Sequence, residues 1–225
     1  MNGKIVVKPD TINQTCPLCK AAGASNFYQD KRRDYFLCPT CKLVFVPAVY
    51  FLSAEDEKAR YDLHQNTPTD QGYRQFLSRL FLPMKEYLNP ESRGLDFGSG
   101  PGPTLSVMFE EIGHTVAIYD HFYAMKPSVL KQQYDFITAT EVVEHLHNPR
   151  KELDRLWACL KPGGNLGIMT KLVHDCEAFA RWHYKDDPTH VCFFSCSTFE
   201  WLATHWLAKL TFADKDVILF YKSRH

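Results

Sequence analysis

Two cysteine pairs, an Asp-x-Gly-x-Gly run and a loop rich in His and Asp hold the residues of this chain whose types and spacing suit chemistry. Cys16 and Cys19 (CPLC) and Cys38 and Cys41 (CPTC) are two CxxC knuckles with eighteen residues between them. Four thiolates make a closed tetrahedral shell for Zn²⁺, and each knuckle delivers two sulfurs from a tight turn. A redox CxxC or two disulfides are the alternatives, disfavoured in a chain without an export signal.

Residues 93–102, RGLDFGSGPG, carry a short apolar strand into three alternate glycines. Gly98, Gly100 and Gly102 are expected to take positive φ and to let the backbone approach a bound molecule that a side chain would strike. Pro103 and Thr104 then open a helical pattern, so the turn ends at a helix N-terminus whose free amides favour an anion, here read as a carboxylate. A P-loop would need Lys and Ser or Thr after the last glycine, and a dinucleotide loop would need Gly or Ala where Pro103 stands. What remains is the acidic-x-G-x-G pattern of Asp96, Gly98 and Gly100, or an ordinary strand-to-helix turn. Downstream, HTVAIYD (114–120) reads as a parallel strand ending in Asp120, whose carboxylate can accept hydrogen bonds from both hydroxyls of a ribose.

Acid-base candidates fall in two places. Glu141 closes the strand run YDFITATE and Glu144 and His145 follow it, while His174, His183, Asp187 and His190 follow the strand NLGIMTKL. His190 is a candidate general base oriented by Asp187, with a buried structural or capping His as the alternative. His145 is expected to orient its loop. A second metal site among His174, Cys176, His190, Cys192 and Cys196 lacks paired knuckles, and small buried thiols explain Cys192 and Cys196 more simply.

The Asp96, Gly98 and Gly100 motif, the acid at 120, YDFITATEVVEHL (134–146) and the KPGG that closes the next helix together resemble a class I S-adenosylmethionine-dependent methyltransferase. The motif style is closest to the ubiquinone-pathway O-methyltransferase type, over about residues 72–223. Residues 1–50 resemble a zinc ribbon, similar to those that precede the methyltransferase domain in a group of ribosomal-RNA guanine methyltransferases and some sugar-nucleotide C-methyltransferases. The resemblance implies an α/β, Rossmann-like sheet with a C-terminal antiparallel strand pair. It implies S-adenosylmethionine as cofactor, bound by Asp96, Gly98, Gly100, Asp120, His121 and Thr140; the catalytic candidates His190, Asp187, His145 and Glu141 rest on their placement after the strands. The sulfonium is already an excellent leaving group, so the enzyme's main task is to hold an acceptor in line behind the methyl carbon. Oxygen acceptors usually need a base, whereas an activated nitrogen or an enolate-like carbon can do without one.

These residues need elements to position them. FYQDKRRDYFL between the knuckles reads as a hairpin around a charged turn, and KLVFVP continues as a strand. SAEDEKARYDLH (53–64) and the apolar pattern of residues 73–88 read as two helices, the second kinked or interrupted at Pro83. They make Tyr61, His64 and Tyr73 candidate lid residues. The expected division is a ribbon at 1–50, a helical linker or lid at 51–92 and a cofactor domain at 93–225. Only thirteen residues separate Asp120 from Tyr134, too few for helix, strand and helix, so the family's third strand is expected to be lost. His121 and Phe122 would then begin the wall of a more open adenine pocket.

Composition sets the partners. Of 225 residues 45% are hydrophobic, and 26 basic residues balance 26 acidic ones, so no overall field recruits nucleic acid or a membrane. Residues 1–50 hold seven Lys or Arg against three Asp, but four thiolates around Zn²⁺ add two net negative charges and halve that surplus. Lys31, Arg32 and Arg33 are read as a solvated hairpin tip. LVFVPAVYFL is too short and proline-broken to span a bilayer. A cytoplasmic enzyme acting on a small molecule is the leading expectation. An RNA methyltransferase gripping its substrate through the ribbon, and a non-catalytic scaffold, are the alternatives.

Overall fold

Asp30 folds the first hairpin by accepting hydrogen bonds from the backbone N–H of Arg32 and Arg33, at 2.7 and 2.9 Å. An Asp side chain that bonds the backbone two residues on is a turn-former in its own right. In the computed structural model, which describes residues 14–63 and 67–224, this turn joins β1 (Ser25–Gln29) to β2 (Asp34–Leu37). β3 (Val44–Phe45) pairs with β2, and the fourth strand of the sheet is β8 (Cys192–Phe193), with Val44 opposite Phe193 and Phe45 opposite Cys192. The pairing therefore crosses the boundary expected at residue 50. Tyr35, Phe36, Phe179, Phe193 and Phe194 are all fully buried in one core with the four-cysteine knuckles.

One expectation fails inside this hairpin. Lys31 and Arg32 are exposed, but Arg33 is only 6% exposed, because its guanidinium is used up inside the molecule.

α1 (Ala54–Tyr61) begins at Ser53, whose side chain accepts from the Asp56 N–H, with three acids in the first turn. Acids there complement the positive end of the helix. α2 (Gln71–Lys85) is capped by Asp70 and buries Leu77, Leu80 and Met84. Pro83 does not interrupt it: the proline forfeits the bond its nitrogen would make to Arg79 O, yet the helix runs on to Lys85. His64 lies outside the described residues.

The main sheet has the order β5-β4-β6-β7-β10-β9. β4 (Arg93–Phe97), β5 (Thr115–Tyr119), β6 (Tyr134–Thr140) and β7 (Leu160–Met169) are parallel, linked by α3 (Thr104–Glu110) and α4 (Pro149–Cys159). After β7 come α5 (Cys176–Ala180), β8, α6 (Cys196–Trp206) and the antiparallel pair β9 (Lys209–Asp214) and β10 (Val217–Tyr221). Residues 121–133 contribute only a bridge from Asp120 to Ala124 and a short 3₁₀ turn, so the expected loss of the third strand is what is found. α2 and α3 cover one face with Leu77, Met84, Met108 and Phe109, while Leu153, Leu156, Phe199 and Leu202 from α4 and α6 cover the other. The KPGG segment is not a glycine cap on α4. The helix runs directly into extended Leu160, and Gly163 (φ +83°) absorbs a slip in the β6–β7 pairing between Tyr134 and Phe136.

Candidate active site

The carboxyl ends of the parallel strands β4, β5 and β6 meet at the glycine turn, the side on which an α/β sheet presents its ligands. Gly98 has φ +75°, and a methyl there would fall 2.3 Å from Val142 Cγ2, so both conformation and space demand glycine. Gly100, at φ +63°, faces open space instead. Gly102 departs from the expectation, since positive φ is confined to the first two glycines of the turn; its carbonyl accepts from the N–H and hydroxyl of Thr104.

Asp120 lies beside this turn with its carboxylate largely engaged. Oδ2 accepts from the Gly100 N–H at 2.9 Å, and Oδ1 from the N–H groups of Phe122 and Tyr123 at 2.8 and 3.1 Å. A carboxylate has about four acceptor positions, so roughly one remains for a ligand hydroxyl rather than the two expected. Asp96 is buried, and its Oδ1 accepts from Thr138 Oγ1 at 2.8 Å, tying β4 to β6. Burial pushes its carboxyl up to about 6. His121 is exposed, with its ring edge against Phe122. Among the described residues the hydroxyls of Ser99 and Thr140 are buried without a protein partner. Buried polar atoms are normally bonded, so these two hydroxyls beside the glycine turn are free to bond a water or a polar ligand.

α1 roofs the neighbouring part of the crevice. The Tyr61 ring lies 5.6 Å from that of Phe122 and 5.3 Å from that of His145, and Tyr123 Oη donates to Asp62 at 2.6 Å. Tyr73 stacks on Phe76 and packs against the core under α2.

Beneath Tyr61 is a buried polar cluster. Glu141 holds a left-handed φ of +52° and donates its N–H to Met169 O at 2.8 Å. Strain of this kind at a non-glycine residue gathers at functional sites. Glu144, 0% exposed, accepts from Thr170 Oγ1 at 3.0 Å and from the Tyr184 hydroxyl, which lies 3.4 Å from Glu141 Oε2. Burial, and then the charge of Glu144, raise Glu141 to about 8; burial raises Glu144 to about 7. Two carboxyls joined through one phenol thus keep a proton near neutral pH.

His145 and His190 stand at this cluster with rings 4.6 Å apart. His190 Nδ1 is 2.6 Å from Tyr184 O and His145 Nδ1 is 3.2 Å from Thr189 O. A carbonyl only accepts, so each Nδ1 carries the proton and Nε2 is the basic atom of the neutral ring. Burial, and then His145, pull His190 down to about 3. Asp187 does not bond this imidazole: its Oδ1 accepts from the Thr189 N–H and hydroxyl, so it shapes the turn while the Tyr184 carbonyl orients His190. Burial raises the Asp187 carboxyl, and those two bonds more than reverse it. The donor atoms of Glu144, His145 and His190 lie within 4.8 Å of one another, close enough for one cation to bridge. His174, Cys176, Cys192 and Cys196 join no such group among the described residues.

Sequence reasoning missed what holds this loop. Arg33 Nη1 donates to Pro188 O and His190 O at 3.1 and 2.9 Å, and Nη2 to Asp187 O at 3.0 Å and to Lys185 O. Tyr184 and Thr170 were missed as well. Nothing in residue type distinguishes Arg33 from its exposed neighbour Arg32.

The four cysteines converge as expected. Their sulfurs lie within 4.8 Å of one another, with Cys16 to Cys41 at 3.5 Å and Cys19 to Cys38 at 3.3 Å, and none is bonded as a disulfide. A zinc tetrahedron with bonds of about 2.3 Å has sulfur edges of about 3.8 Å. The knuckles repeat each other: Lys20 and Lys42 are left-handed (φ 64° and 58°), and their N–H groups bond Cys16 O and Cys38 O. Their ammonium groups reach Pro17 O and Pro39 O. The repeated CPxCK sequence is the signal for that pairing.

No curated protein matches the chain. Among solved structures, the chain is similar to 1,6-didemethyltoxoflavin-N1-methyltransferase of Burkholderia thailandensis, solved with 1,6-didemethyltoxoflavin and S-adenosylhomocysteine, at 15% identity and a TM-score of 0.47 over 88% of this chain and 99% of that one. It is also similar to a possible histamine N-methyltransferase of Thermotoga maritima (15%, TM-score 0.42, 75% and 96% covered) and to a SAM-dependent methyltransferase of Archaeoglobus fulgidus (18%, TM-score 0.47, 60% and 69% covered). Likeness at this level transfers no substrate. The family model described as "Methyltransferase domain" matches residues 66–205, well over half of the 225, and takes in the glycine turn, Asp120 and the Glu141–His145 corner. The chain belongs to that methyltransferase-domain family.

Proposed function

We propose that this protein transfers the methyl group of S-adenosylmethionine to a small-molecule acceptor, in the manner of the ubiquinone-pathway O-methyltransferase type. The observation that carries the reading is the cradle itself: Gly98 and Gly100 at positive φ, Asp120 pinned beside them, and the unpaired hydroxyls of Ser99 and Thr140. The bound sulfonium supplies an activated methyl group. The chain's residues hold and orient: Asp120 takes a ribose hydroxyl, His121 and Phe122 flank the adenine edge, and α1 closes over the ligand. Where the acceptor is a hydroxyl, the Glu141, Glu144 and Tyr184 cluster takes up its proton, with His145 and His190 beside it.

In the same reading, residues 1–50 hold one structural Zn²⁺ on Cys16, Cys19, Cys38 and Cys41, residues 51–92 are the lid and residues 93–225 the cofactor domain. Free thiols suit the reducing cytoplasm. No helix among the described residues is long and apolar enough to cross a membrane. Arg33, the central cation of the hairpin, is consumed by internal carbonyls, which favours a small acceptor over RNA. Calorimetry with S-adenosylmethionine and S-adenosylhomocysteine tests the cofactor. Saturable binding of both is expected, whereas no heat with either and tight binding of NADH overturns the proposal.

A further inference from the structure

A second concavity lies on the same edge of the sheet, past Tyr184 from the carboxyl pair. It has a volume of about 280 Å³ and is lined by Lys171 and His174 after β7, Phe179 of α5, Trp182, and Lys215 and Asp216 in the β9–β10 turn. β10 runs antiparallel to β7 with Val217 opposite Met169, so the turn before it stands at the carboxyl end of β7, on the crevice side. Neighbouring strands are about 4.8 Å apart, which sets this cavity roughly 10 Å along the sheet edge from the glycine turn on β4. The ring of Trp182 stacks on that of Tyr184 at 4.9 Å, and the Lys171 ammonium stands 5.4 Å from the centre of the same Tyr184 ring. One wall of the cavity is therefore shared with the residue that bridges Glu141 and Glu144.

The lining carries two ammonium groups held outside close ion pairs, Lys171 with Glu141 as its neighbouring carboxyl and Lys215 with Asp214. Asp216 is buried and paired with Arg79, so its carboxylate is neutralised from behind. Neither Lys171 nor Lys215 forms an ion pair among the described residues. Two ammonium groups free of close ion pairs, beside an aromatic floor of Phe179 and Trp182, match a flat ligand with negative charge at its rim: ring stacking supplies contact and the lysines supply sign.

Resting on the methyltransferase reading above, we propose that this cavity is the acceptor pocket and that its occupant is an aromatic acid, a planar one- or two-ring system carrying a carboxylate. Lys171 and Lys215 are its specificity residues and Trp182 its stacking platform. The carboxylate faces the lysines while the ring presents its reactive edge past Tyr184 towards the crevice.

The test uses the full chain with S-adenosylhomocysteine present and two probes of one shape, 2-naphthoate and 2-naphthamide. Calorimetry should give at least tenfold tighter binding of the naphthoate, a preference that shrinks with added salt. Lys171→Met and Lys215→Met should each reduce it, and the double variant should abolish it while binding the amide as before. Trp182→Leu should weaken both probes alike. Equal affinity of the two probes, tighter binding of the cationic 2-naphthylmethylamine, or a naphthoate preference unchanged in the double lysine variant would each overturn the proposal. Heat of S-adenosylhomocysteine binding, measured first in the same cell, reports separately on the cofactor reading. Far-UV circular dichroism of each variant separates loss of charge from loss of fold.

Discussion

The two sides of the crevice are built from different materials. On the glycine-turn side the backbone does the holding: Gly98 N–H bonds Tyr119 O at 2.7 Å, Gly100 N–H bonds Asp120, and the residues involved lie within 25 positions of one another. On the opposite side the holding is done by buried side chains drawn from far apart, Arg33 on residues 185–190, Glu144 on Thr170 and Tyr184, and β3 on β8. The first side is local and tolerates change elsewhere in the chain. The second is a tertiary construction that depends on the cysteine ribbon, because the strand after His190 is also the edge strand of the ribbon's sheet.

Removing the metal that we propose for the ribbon is the most forceful way to break this contrast. Structural zinc in small Cys₄ sites contributes on the order of 10 kcal/mol of folding free energy. Cys38→Ser, or strong chelation, should therefore unfold β1–β3 and release β8 and the loop before it. Methyl transfer should be lost, while S-adenosylhomocysteine still binds at the glycine turn. The measurement is metal content, hydrogen exchange of residues 183–193 and cofactor calorimetry on one sample. A variant that loses zinc yet keeps protected amides at residues 183–193 would show that the two regions are independent.

A gentler break is Arg33→Met, which keeps much of the side chain's bulk but leaves the carbonyls of Lys185, Asp187, Pro188 and His190 without their donor. Stranding buried acceptors should cost about 2 to 4 kcal/mol. Denaturant unfolding reads that loss, and turnover should fall with little change in cofactor affinity. Arg32→Met, at the exposed neighbour, is the control and should be close to neutral.

The same contrast explains what was legible in the sequence. The glycine turn, Asp120, the two knuckles and the missing third strand could be read because each depends on residue type at a fixed short spacing. Gly98 must be glycine because its φ is positive and an added Cβ would fall 2.3 Å from Val142 Cγ2. Arg33 could not be read, because burial of an arginine follows from which carbonyls come to meet it. Tyr184 looked like one aromatic among several in its loop, although its hydroxyl joins two glutamates. Asp187 and His190 were paired on sequence proximity, yet backbone geometry gave the imidazole to the Tyr184 carbonyl and the carboxylate to Thr189.

On the cofactor side, Asp120→Ala sharpens the comparison. It removes a ribose acceptor and also frees the N–H groups of Gly100, Phe122 and Tyr123. Affinity for S-adenosylhomocysteine should fall by about 1 to 3 kcal/mol. Asp120→Asn should recover part of it, since one amide oxygen still accepts. The unfolding midpoint should move far less than for Arg33→Met, because these groups lie where water can replace the lost bonds.

The smallest effect expected is in the pH dependence of stability, where the buried cluster leaves a signature of known sign. Glu141 and Glu144 have folded-state values raised to about 8 and 7, so the folded protein keeps protons that the unfolded chain releases near the ordinary glutamate value. Their contribution is complete below that ordinary value and is lost as pH rises through about 7 and 8. His190, lowered to about 3, works the other way: the unfolded chain binds a proton that the folded protein refuses, so stability falls as pH drops below the ordinary histidine value of about 6.5. Between those limits the effects oppose each other, and above about pH 6.5 only the carboxyls remain. Stability of the full chain should therefore decline from about pH 6.5 to 8 by on the order of 1 kcal/mol. Glu141→Gln cannot lose a proton and should flatten that decline, while His190→Ala should leave it in place and flatten the acid side instead. Urea unfolding at a series of pH values measures both, and a slope unchanged by Glu141→Gln would show that the pair is not holding the proton assigned to it.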